Sequence, residues 1–329
     1  MRNFSAMHAG SANPTAAPAE TPPTPVTPVT QATQATQVTP VTPFAPFTPV
    51  TPGTGRWPMP PMVGASIALH VLAAAGAVAA PQSAAWALGA VLANHAVLTA
   101  AGLWPKSALL GPNTTRLPPA AAAQRQIALT IDDGPDADVT PAVLDLLAQH
   151  GVRATFFCIA ERAAAHPALV RLMVRAGHSV QNHSHAHRHH FSVLGRRGFS
   201  QEINRAQAVI GGITGIAPHC FRAPAGLRNP LLDPVLHRLG LNLVSWTRRG
   251  FDTRDSEPAR VLARLTRGLA AGDILLLHDG HAQRTANRRP VVLEMLPPLL
   301  RALAAQQLVP VTLADALPPR HAAVAVATA

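Results

Sequence analysis

Two adjacent carboxylates, Asp132 and Asp133, are the residues of this chain best suited to chemistry. They follow an apolar segment in the run Thr-Ile-Asp-Asp-Gly-Pro at 130–135. Successive strand residues point to opposite faces, so a turn that ends the strand here allows the two carboxylates to take separate roles. One can ligate a metal ion while the other stays free as a general base. The alternative interpretation is an ordinary solvated Asp-Gly-Pro turn.

A histidine-rich run at 182–190 supplies a residue type that commonly binds metal. Within it His183 and His187 are four residues apart, and they would share one face if the segment were helical. Two imidazole nitrogens and one carboxylate oxygen form a typical catalytic zinc set that leaves a coordination position open for water. The alternative is a solvated histidine tract that binds metal adventitiously. Three other histidines of the run are expected to be ordinary core or surface residues: His185, His189 and His190.

Two further strand ends carry residues that could support acid–base chemistry. Arg222 lies in Phe-Arg-Ala-Pro-Ala-Gly at 221–226, where a guanidinium could hold a buried aspartate ionised or form an ordinary surface salt bridge. His278 ends the apolar run Ile-Leu-Leu-Leu-His at 274–278. Oriented by Asp252, it would serve as a proton donor. By itself it is equally well explained as a satisfied core histidine.

The elements that must position these residues alternate between β-type and helical patterns from Gln126 onward. This alternation predicts an α/β fold with a parallel sheet, either an open doubly wound sheet or a closed barrel. The polar clusters lie at the C-terminal ends of the predicted strands, which is where sites form in both architectures. The predicted strands are 127–132, 154–159, 179–182, 220–222, 241–246, 274–278 and 309–313.

The first third of the chain has a different character. Residues 1–60 are rich in Pro and Thr and are predicted to be disordered. Residues 61–104 contain two uncharged, Ala-rich stretches, each near the ~20 residues that cross a bilayer, which predicts a two-helix membrane hairpin. A buried or interfacial helix pair is the alternative, suggested by three polar residues: His70, Asn94 and His95. We expect a linker at 105–125, the main domain at 126–318 and a flexible tail at 319–329.

Charge and composition limit the classes of binding partner that are expected. The formal net charge of +11 comes from scattered arginines with a single lysine, and Tyr is absent. Nucleic acid is therefore not expected, since proteins that follow phosphate backbones cluster their cations and interleave aromatic residues. An anionic membrane surface fits better. Two cysteines, Cys158 and Cys220, are too few for a disulfide scaffold and are expected to be buried apolar residues.

The cations also suggest an orientation for the hairpin. Arg56 lies before it, Lys106 and Arg116 follow it, and no cation occurs in the short connection between its two stretches. The positive-inside rule then places both ends in the cytoplasm. The expected location is the inner (cytoplasmic) membrane of a bacterium, with the main domain facing the cytoplasm.

Taken together and in this order, these motifs resemble the NodB-homology domain of the polysaccharide deacetylases, carbohydrate esterase family 4. The resemblance runs from about Ile127 to Leu313. Thr-Ile-Asp-Asp-Gly is similar to the first family motif, usually Thr-Phe-Asp-Asp-Gly, while His-Ser-x-x-His and Arg-x-Pro-x-Gly are similar to the second and third. The resemblance implies a distorted (β/α) barrel of about seven parallel strands and metal-dependent removal of N-acetyl groups from sugars.

The resemblance also implies a role for individual residues. Asp132 would be the catalytic base, oriented by Arg222, and His278 would be the catalytic acid, tuned by Asp252. A backbone N–H at Ala225 would stabilise the oxyanion. Two residues would line the substrate groove: Trp246 and Leu227. Three residues would bind a divalent metal, with zinc expected ahead of cobalt: Asp133, His183 and His187.

Two departures from the family pattern concern the substrate. Ala225 stands where the third motif usually has Tyr, and Thr253 stands where the fourth usually has Trp. The chemistry should survive because a backbone N–H is used, but the groove loses rings that contact substrate. The expected partner is an N-acylated sugar, an oligosaccharide or a lipid-linked sugar, with no obligate protein partner. The alternatives are an O-acetyl carbohydrate esterase using the same site, a non-catalytic membrane-anchored carbohydrate-binding module, and a histidine-rich metal-binding protein.

Overall fold

The computed structural model describes residues 55–320. The predicted disordered segment 1–60 therefore falls outside the described residues except for its last six positions. The predicted tail at 319–329 falls outside them except for its first two.

Two antiparallel helices, α1 (Pro61–Ala79) and α2 (Ala84–Leu103), form a hairpin joined by a short 3₁₀ turn at Pro81–Ser83. The polar side chains of the hairpin pair across its helix interface. Asn94 Nδ2 donates to Ser66 Oγ at 2.8 Å, and the Nε2 atoms of His70 and His95 lie 3.2 Å apart. Such pairing satisfies polar groups where water is absent.

The outer surface of the hairpin is apolar and exposed, as at Leu72, Val78 and Trp86. Both helices are long and apolar enough to cross a membrane, a criterion that a signal sequence also meets. The open end of the hairpin packs on the rest of the chain, where Arg228 N donates to Gly102 O at 3.1 Å. A Cβ at Gly102 would overlap the Arg228 carbonyl, so this close approach requires glycine.

The main domain is built on one sheet of eight short strands whose pairings are all parallel. The order is β5-β4-β3-β2-β1-β7-β6, and β8 pairs with the first residues of β1. The strands are β1 (Gln126–Asp132), β2 (Thr155–Cys158), β3 (Ser179–Asn182), β4 (Cys220–Phe221), β5 (Asn242–Leu243), β6 (Arg248–Arg249), β7 (Ile274–His278) and β8 (Val309–Val311).

The sheet curls because its two edge strands, β5 and β6, are separated by only four residues of chain, 244–247. Thr114 adds a parallel bridge to Val244 beside this connection. The distorted-barrel prediction is confirmed. Strand β6 is the element that the sequence does not predict, since Arg248 and Arg249 carry no β signal and pair only because barrel closure brings them beside β7.

Nine helices of the described chain surround or cap the sheet. Residues 160–175 form two helices and not one continuous helix, because Pro167 lacks an N–H to continue the first one. The helices are α3 (Pro119–Ala123), α4 (Thr140–Gln149), α5 (Ala160–Ala165), α6 (Pro167–Arg175), α7 (Arg196–Thr214), α8 (Leu232–Arg238), α9 (Pro258–Thr266), α10 (Val291–Ala305) and α11 (Leu313–Ala316).

Residues 105–125, expected as a linker, are packed into the domain. Leu110 and Leu117 are buried, and Arg116 pairs with the buried Asp273, with Nη1 and Oδ1 2.9 Å apart. The segment fills the gap beside β5, which a linker would leave open to water.

The two faces of the strands bury different clusters. On β1, Leu129 and Ile131 face the surrounding helices, whereas Ala128 belongs to the cluster inside the barrel. Since strand side chains alternate, Thr130 and Asp132 share the inner face with Ala128. The polar residues that end the strands are therefore directed into the mouth of the barrel.

Candidate metal and catalytic site

The candidate site lies at the carboxyl ends of four strands of the sheet, β4, β3, β1 and β7. Asp132 ends β1 and His278 ends β7, and the two residues are register partners. His183 follows β3 directly, and Arg222 follows β4. Parallel strands in this register bring side chains from distant parts of the chain to one edge.

Asp133 is separated from Asp132 by the turn that ends β1. Its backbone is left-handed, with φ 73°, a conformation that Asp tolerates better than most residues. Its Oδ1 lies 3.2 Å from His183 Nε2 and 3.3 Å from His187 Nε2. The donor atoms of these three residues all lie within 4.8 Å of one another, as in a site that could hold a metal ion.

The two histidines converge through a loop and not through a helix. Ser184 and His187 are both left-handed, with φ 67° and 48°. The loop is held by local hydrogen bonds: Ser184 N donates to Asn182 Oδ1 at 2.9 Å, and His187 N donates to Ser184 Oγ at 3.0 Å. With a spacing of four residues, this loop brings the two imidazoles together, and no helix is needed.

The surroundings of this donor set fit a divalent cation. Asp133 Oδ1 is buried and accepts no hydrogen bond within the described chain, which leaves its lone pairs free toward the two imidazoles. His183 Nδ1 lies 2.8 Å from the Arg222 carbonyl oxygen. That carbonyl can only accept, so Nδ1 carries the hydrogen and Nε2 presents its lone pair to the donor set.

Electrostatics favour the ligand form at two of the three donors, Asp133 and His187. Burial raises the pKa of Asp133, but His183 and His281 outweigh it and hold that pKa well below its usual range. Burial and the neighbouring His183 lower the pKa of His187 to about 4. At His183 burial lowers the pKa, but the Asp132 and Asp133 carboxylates outweigh burial and raise it. A carboxylate and a neutral imidazole are the forms that bind metals.

Arg222 binds Asp132 and fixes its orientation. Arg222 Nη1 donates to Asp132 Oδ1 at 2.6 Å and to Thr130 Oγ1 at 2.8 Å. Its remaining donors reach the carbonyl oxygens of Val244 and Ser245. The guanidinium is fully buried, and its satisfied donors fix Asp132 while leaving Oδ2 free toward the mouth of the barrel.

His278 is fixed by Asp252, whose carboxylate is fully buried. His278 Nδ1 lies 2.8 Å from Asp252 Oδ1, and the His278 backbone N–H donates to Oδ2 at 2.7 Å. Burial lowers the pKa of this imidazole, but the Asp252 carboxylate outweighs burial and raises it to about 9. His278 is therefore protonated at neutral pH, with Nε2 left to face the site.

The residues expected on the substrate side are Ala225, Trp246 and Leu227, and the ring of Trp246 lies near Arg222. Ala225 is exposed in a 3₁₀ turn and is left-handed, with φ 54°. Trp246 is buried against Gly226, where a Cβ would overlap its ring, and the ring centroid lies 6.0 Å from Arg222 Cζ. Leu227 follows and is half-buried.

Several residues at the site are not identified from the sequence. His281 Nδ1 lies 3.1 Å from Asp133 Oδ2, and Arg162 donates to the Asp133 carbonyl at 2.9 Å. Asp279 is buried beneath the turn, where Thr140 Oγ1 donates to it at 2.5 Å and burial raises its pKa to about 7. The signal that could have found His281 is its position three residues after His278, in a loop leaving a strand end.

A curled parallel α/β sheet with an Asp-His-His donor set at its carboxyl edge defines the general class of this molecule. Comparisons with known proteins identify the family within it. The polysaccharide deacetylase family model matches residues 120–244. The chain is 35% identical over 168 residues to a chitooligosaccharide deacetylase of Sinorhizobium fredii, covering 50% of this chain and 76% of that protein. The chain belongs to the polysaccharide deacetylase family.

The chain matches only part of the length of a second relative. The peptidoglycan-N-acetylglucosamine deacetylase of Listeria monocytogenes is 33% identical over 178 residues. The match covers 54% of this chain but only 37% of that protein.

Solved structures agree on the fold. A family 4 carbohydrate esterase from Streptomyces lividans in complex with acetate is 34% identical, with a TM-score of 0.51, and the match covers 56% of this chain and 91% of that one. A CE4-family pseudoenzyme from Bacillus anthracis is 22% identical, with a TM-score of 0.55, and the match covers 63% and 69% of the two chains. Because the fold also occurs in a pseudoenzyme, function must be argued from the site residues themselves.

Proposed function

We propose that this protein is a metal-dependent hydrolase that removes N-acetyl or related N-acyl groups from a sugar or polysaccharide. One observation carries the proposal. Asp133 Oδ1 is buried between two imidazoles without a hydrogen-bond partner, and a carboxylate fixed by Arg222 and an imidazole fixed by Asp252 lie beside it. Family membership supports the same reaction, since relatives are named for deacetylating N-acetylglucosamine in peptidoglycan and chitooligosaccharides.

The donor set of Asp133, His183 and His187 would hold a divalent metal, with zinc favoured over cobalt. Two imidazole nitrogens and a carboxylate oxygen are typical zinc ligands and leave positions open. When bound, such a metal polarises the amide carbonyl and acidifies the attacking water.

Asp132 would accept the proton of the attacking water. Its Oδ1 is occupied by Arg222, so Oδ2 is the oxygen available to the substrate side. Arg222 acts through this contact as a positioning residue, because it fixes the carboxylate in one orientation. A general base placed in this way contributes a factor of ~10²–10⁴ to turnover.

His278 would donate a proton to the departing sugar amine. Asp252 holds Nδ1, so the acidic hydrogen on Nε2 is the one directed to the leaving group. The backbone N–H of Ala225 would donate to the oxyanion, while Trp246 and Leu227 would bound the sugar. An amide needs this proton more than an ester does, because an amine is the poorer leaving group.

The hairpin would anchor the enzyme in the inner membrane, with the main domain facing the cytoplasm. The cations that flank its open end support this orientation. An N-acylated oligosaccharide or a lipid-linked sugar would then be the substrate, and the missing rings at Ala225 and Thr253 fit a groove shaped for an atypical acceptor.

The test is acetate release from N-acetylglucosamine oligomers by the full chain in detergent micelles, with metal content measured on the same sample. We expect release that stops on chelation, returns with zinc and is lost in Asp132→Asn. Asp255→Asn is the matched control, because its carboxylate lies in the loop after β6 and pairs with Arg260 and Arg264.

Three outcomes would contradict the proposal. Release that is insensitive to chelation and to Asp132→Asn would exclude the metal mechanism. Oligosaccharide binding without release would favour a carbohydrate-binding module. Release from O-acetylated xylan alone, with His278→Ala nearly as active as the native chain, would favour an esterase.

A further inference from the structure

A cavity of about 730 Å³ lies where the end of α2 meets the strand ends of the main domain. Leu103 and Trp104 form its wall on the hairpin side. Trp246 and Phe251 contribute aromatic rings on the domain side. None of the three metal donors lines the cavity, although Trp246, which is proposed above to bound the sugar, does.

The polar groups of this cavity are cationic. Lys106, Arg248, Arg249 and Arg264 line it, and none of the described lining residues is acidic. Most of these cations are engaged elsewhere. Arg248 pairs with Asp273, Arg264 pairs with Asp255, and Lys106 Nζ donates to the Thr247 carbonyl at 2.7 Å.

Arg249 is the exception among them. Within residues 55–320 its side chain has no hydrogen bond or ion pair, and its Nε is buried without a partner. Its guanidinium lies against two rings, with Cζ 5.4 Å from the Trp246 centroid and 5.0 Å from the Phe251 centroid. Burial lowers the pKa of Arg249 and outweighs the Asp252, Asp132 and Asp133 carboxylates, which raise it. An oxyanion in the cavity would meet a planar donor fork that is already oriented by the rings.

The position of the cavity indicates what carries that oxyanion. It opens at the end of α2, where the exposed apolar surface of the hairpin gives way to cations. Trp104, which is 66% exposed, stands at this boundary. Aromatic rings and basic side chains at the end of an apolar helix are typical of the level of lipid headgroups. A ligand here must combine a negative group with an apolar portion.

We propose that this cavity binds the phosphate of an anionic phospholipid from the membrane that the hairpin enters, with Arg249 as the principal phosphate ligand. The aromatic and aliphatic walls contact the first carbons of the acyl chains. The inference depends on membrane insertion of α1 and α2 and is independent of the hydrolase activity, so acetate release can fail while lipid binding holds.

The experiment compares lipid retention by the full chain purified in detergent and exposed to phosphatidylglycerol or phosphatidylcholine, read by native mass spectrometry. We expect one phosphatidylglycerol retained in preference to phosphatidylcholine. Arg249→Gln should weaken that retention by about tenfold or more, as expected for loss of charged hydrogen bonds. Arg301→Gln, at an exposed position on α10, is the matched control and should retain lipid as the native chain does.

A second variant keeps the test decisive if Arg249→Gln does not fold. Arg249→Lys keeps the charge but loses the planar fork, so it should give an intermediate affinity. Equal retention of the two phospholipids would overturn the proposal. Phosphatidylglycerol retention that is unchanged in both variants would also overturn the proposal. So would retention of a lipid-linked sugar without any phospholipid. A protein that stays soluble in water without detergent would overturn it as well.

Discussion

Replacing Asp252 by Asn should move the alkaline limit of activity to lower pH. The Asp252 carboxylate opposes burial and raises the pKa of His278 from 6.5 to about 9. One pKa unit corresponds to about 1.4 kcal/mol, so this displacement represents about 3 kcal/mol in favour of the protonated imidazole. The side-chain amide introduced by Asp252→Asn has a single acceptor oxygen, so it can accept from His278 Nδ1 or from the His278 backbone N–H but not from both, and the variant loses one hydrogen bond together with the charge.

The assay is the pH profile of kcat/KM for acetate release, whose alkaline limb reports the acid in the free enzyme. Loss of an opposite charge in direct contact should lower that limb by about 1–3 pH units. A bound divalent cation also opposes protonation of His278, so the difference between variants is the quantity to measure. Asp255→Asn, in the same loop, should leave the limb in place.

The contribution of the Asp252–His278 pair to the stability of the folded protein should also depend on pH. Because the folded pKa of His278 lies above its ordinary value, its contribution is fully present below pH 6.5 and is lost as the pH rises through about 9. The Tm difference between the native chain and Asp252→Asn should therefore be largest near pH 6 and shrink toward pH 9. An unshifted alkaline limb, together with a pH-independent Tm difference, would refute the assignment of His278 as the acid.

The remaining predictions concern metal, base and packing. His183→Ala should remove bound metal and activity together, as measured by metal analysis and acetate release. His189→Ala, at an exposed position of the same run, should keep both. A full metal equivalent in His183→Ala would exclude His183 as a ligand. Asp132→Asn should keep its metal and lose turnover by ~10²–10⁴ in the acetate assay, and unchanged turnover would make Asp132 structural. Gly102→Ala should destabilise the protein by ~1–3 kcal/mol, measured by thermal unfolding in detergent, because its Cβ would overlap the Arg228 carbonyl; an unchanged Tm would show that the hairpin does not rest on the domain.

The sequence predicts the sheet best where strands are buried on both faces. β7 is a continuous apolar run and β1 is mostly apolar, and each ends in a polar residue, so their position and the direction of the site are evident without a structure. Elements that form only through contacts with distant parts of the chain are harder to predict. β6 is two arginines, and residues 105–125 resemble a linker although Leu110 and Leu117 are buried.

The structure brings the two candidate metal-ligand histidines together through a conformation other than the helix that their spacing suits. His183 and His187 are identified by a spacing that suits a helix, yet the structure brings them together through left-handed residues in a loop. A spacing of four constrains how far apart two side chains can be, and several backbone conformations satisfy that limit.

The amino-acid sequence predicts a parallel α/β fold and the types of residue at each strand end, because motifs and apolar periodicity are local properties, and its resemblance to a family implies the barrel. How those residues meet is set by the folded chain. Arg222 reaches Asp132 across 90 positions of sequence, His281 contacts Asp133 across 148, and Arg249 faces a cavity shared with α2. These contacts follow from strand register and barrel closure, which depend on the packing of the whole chain and leave no mark on any short segment.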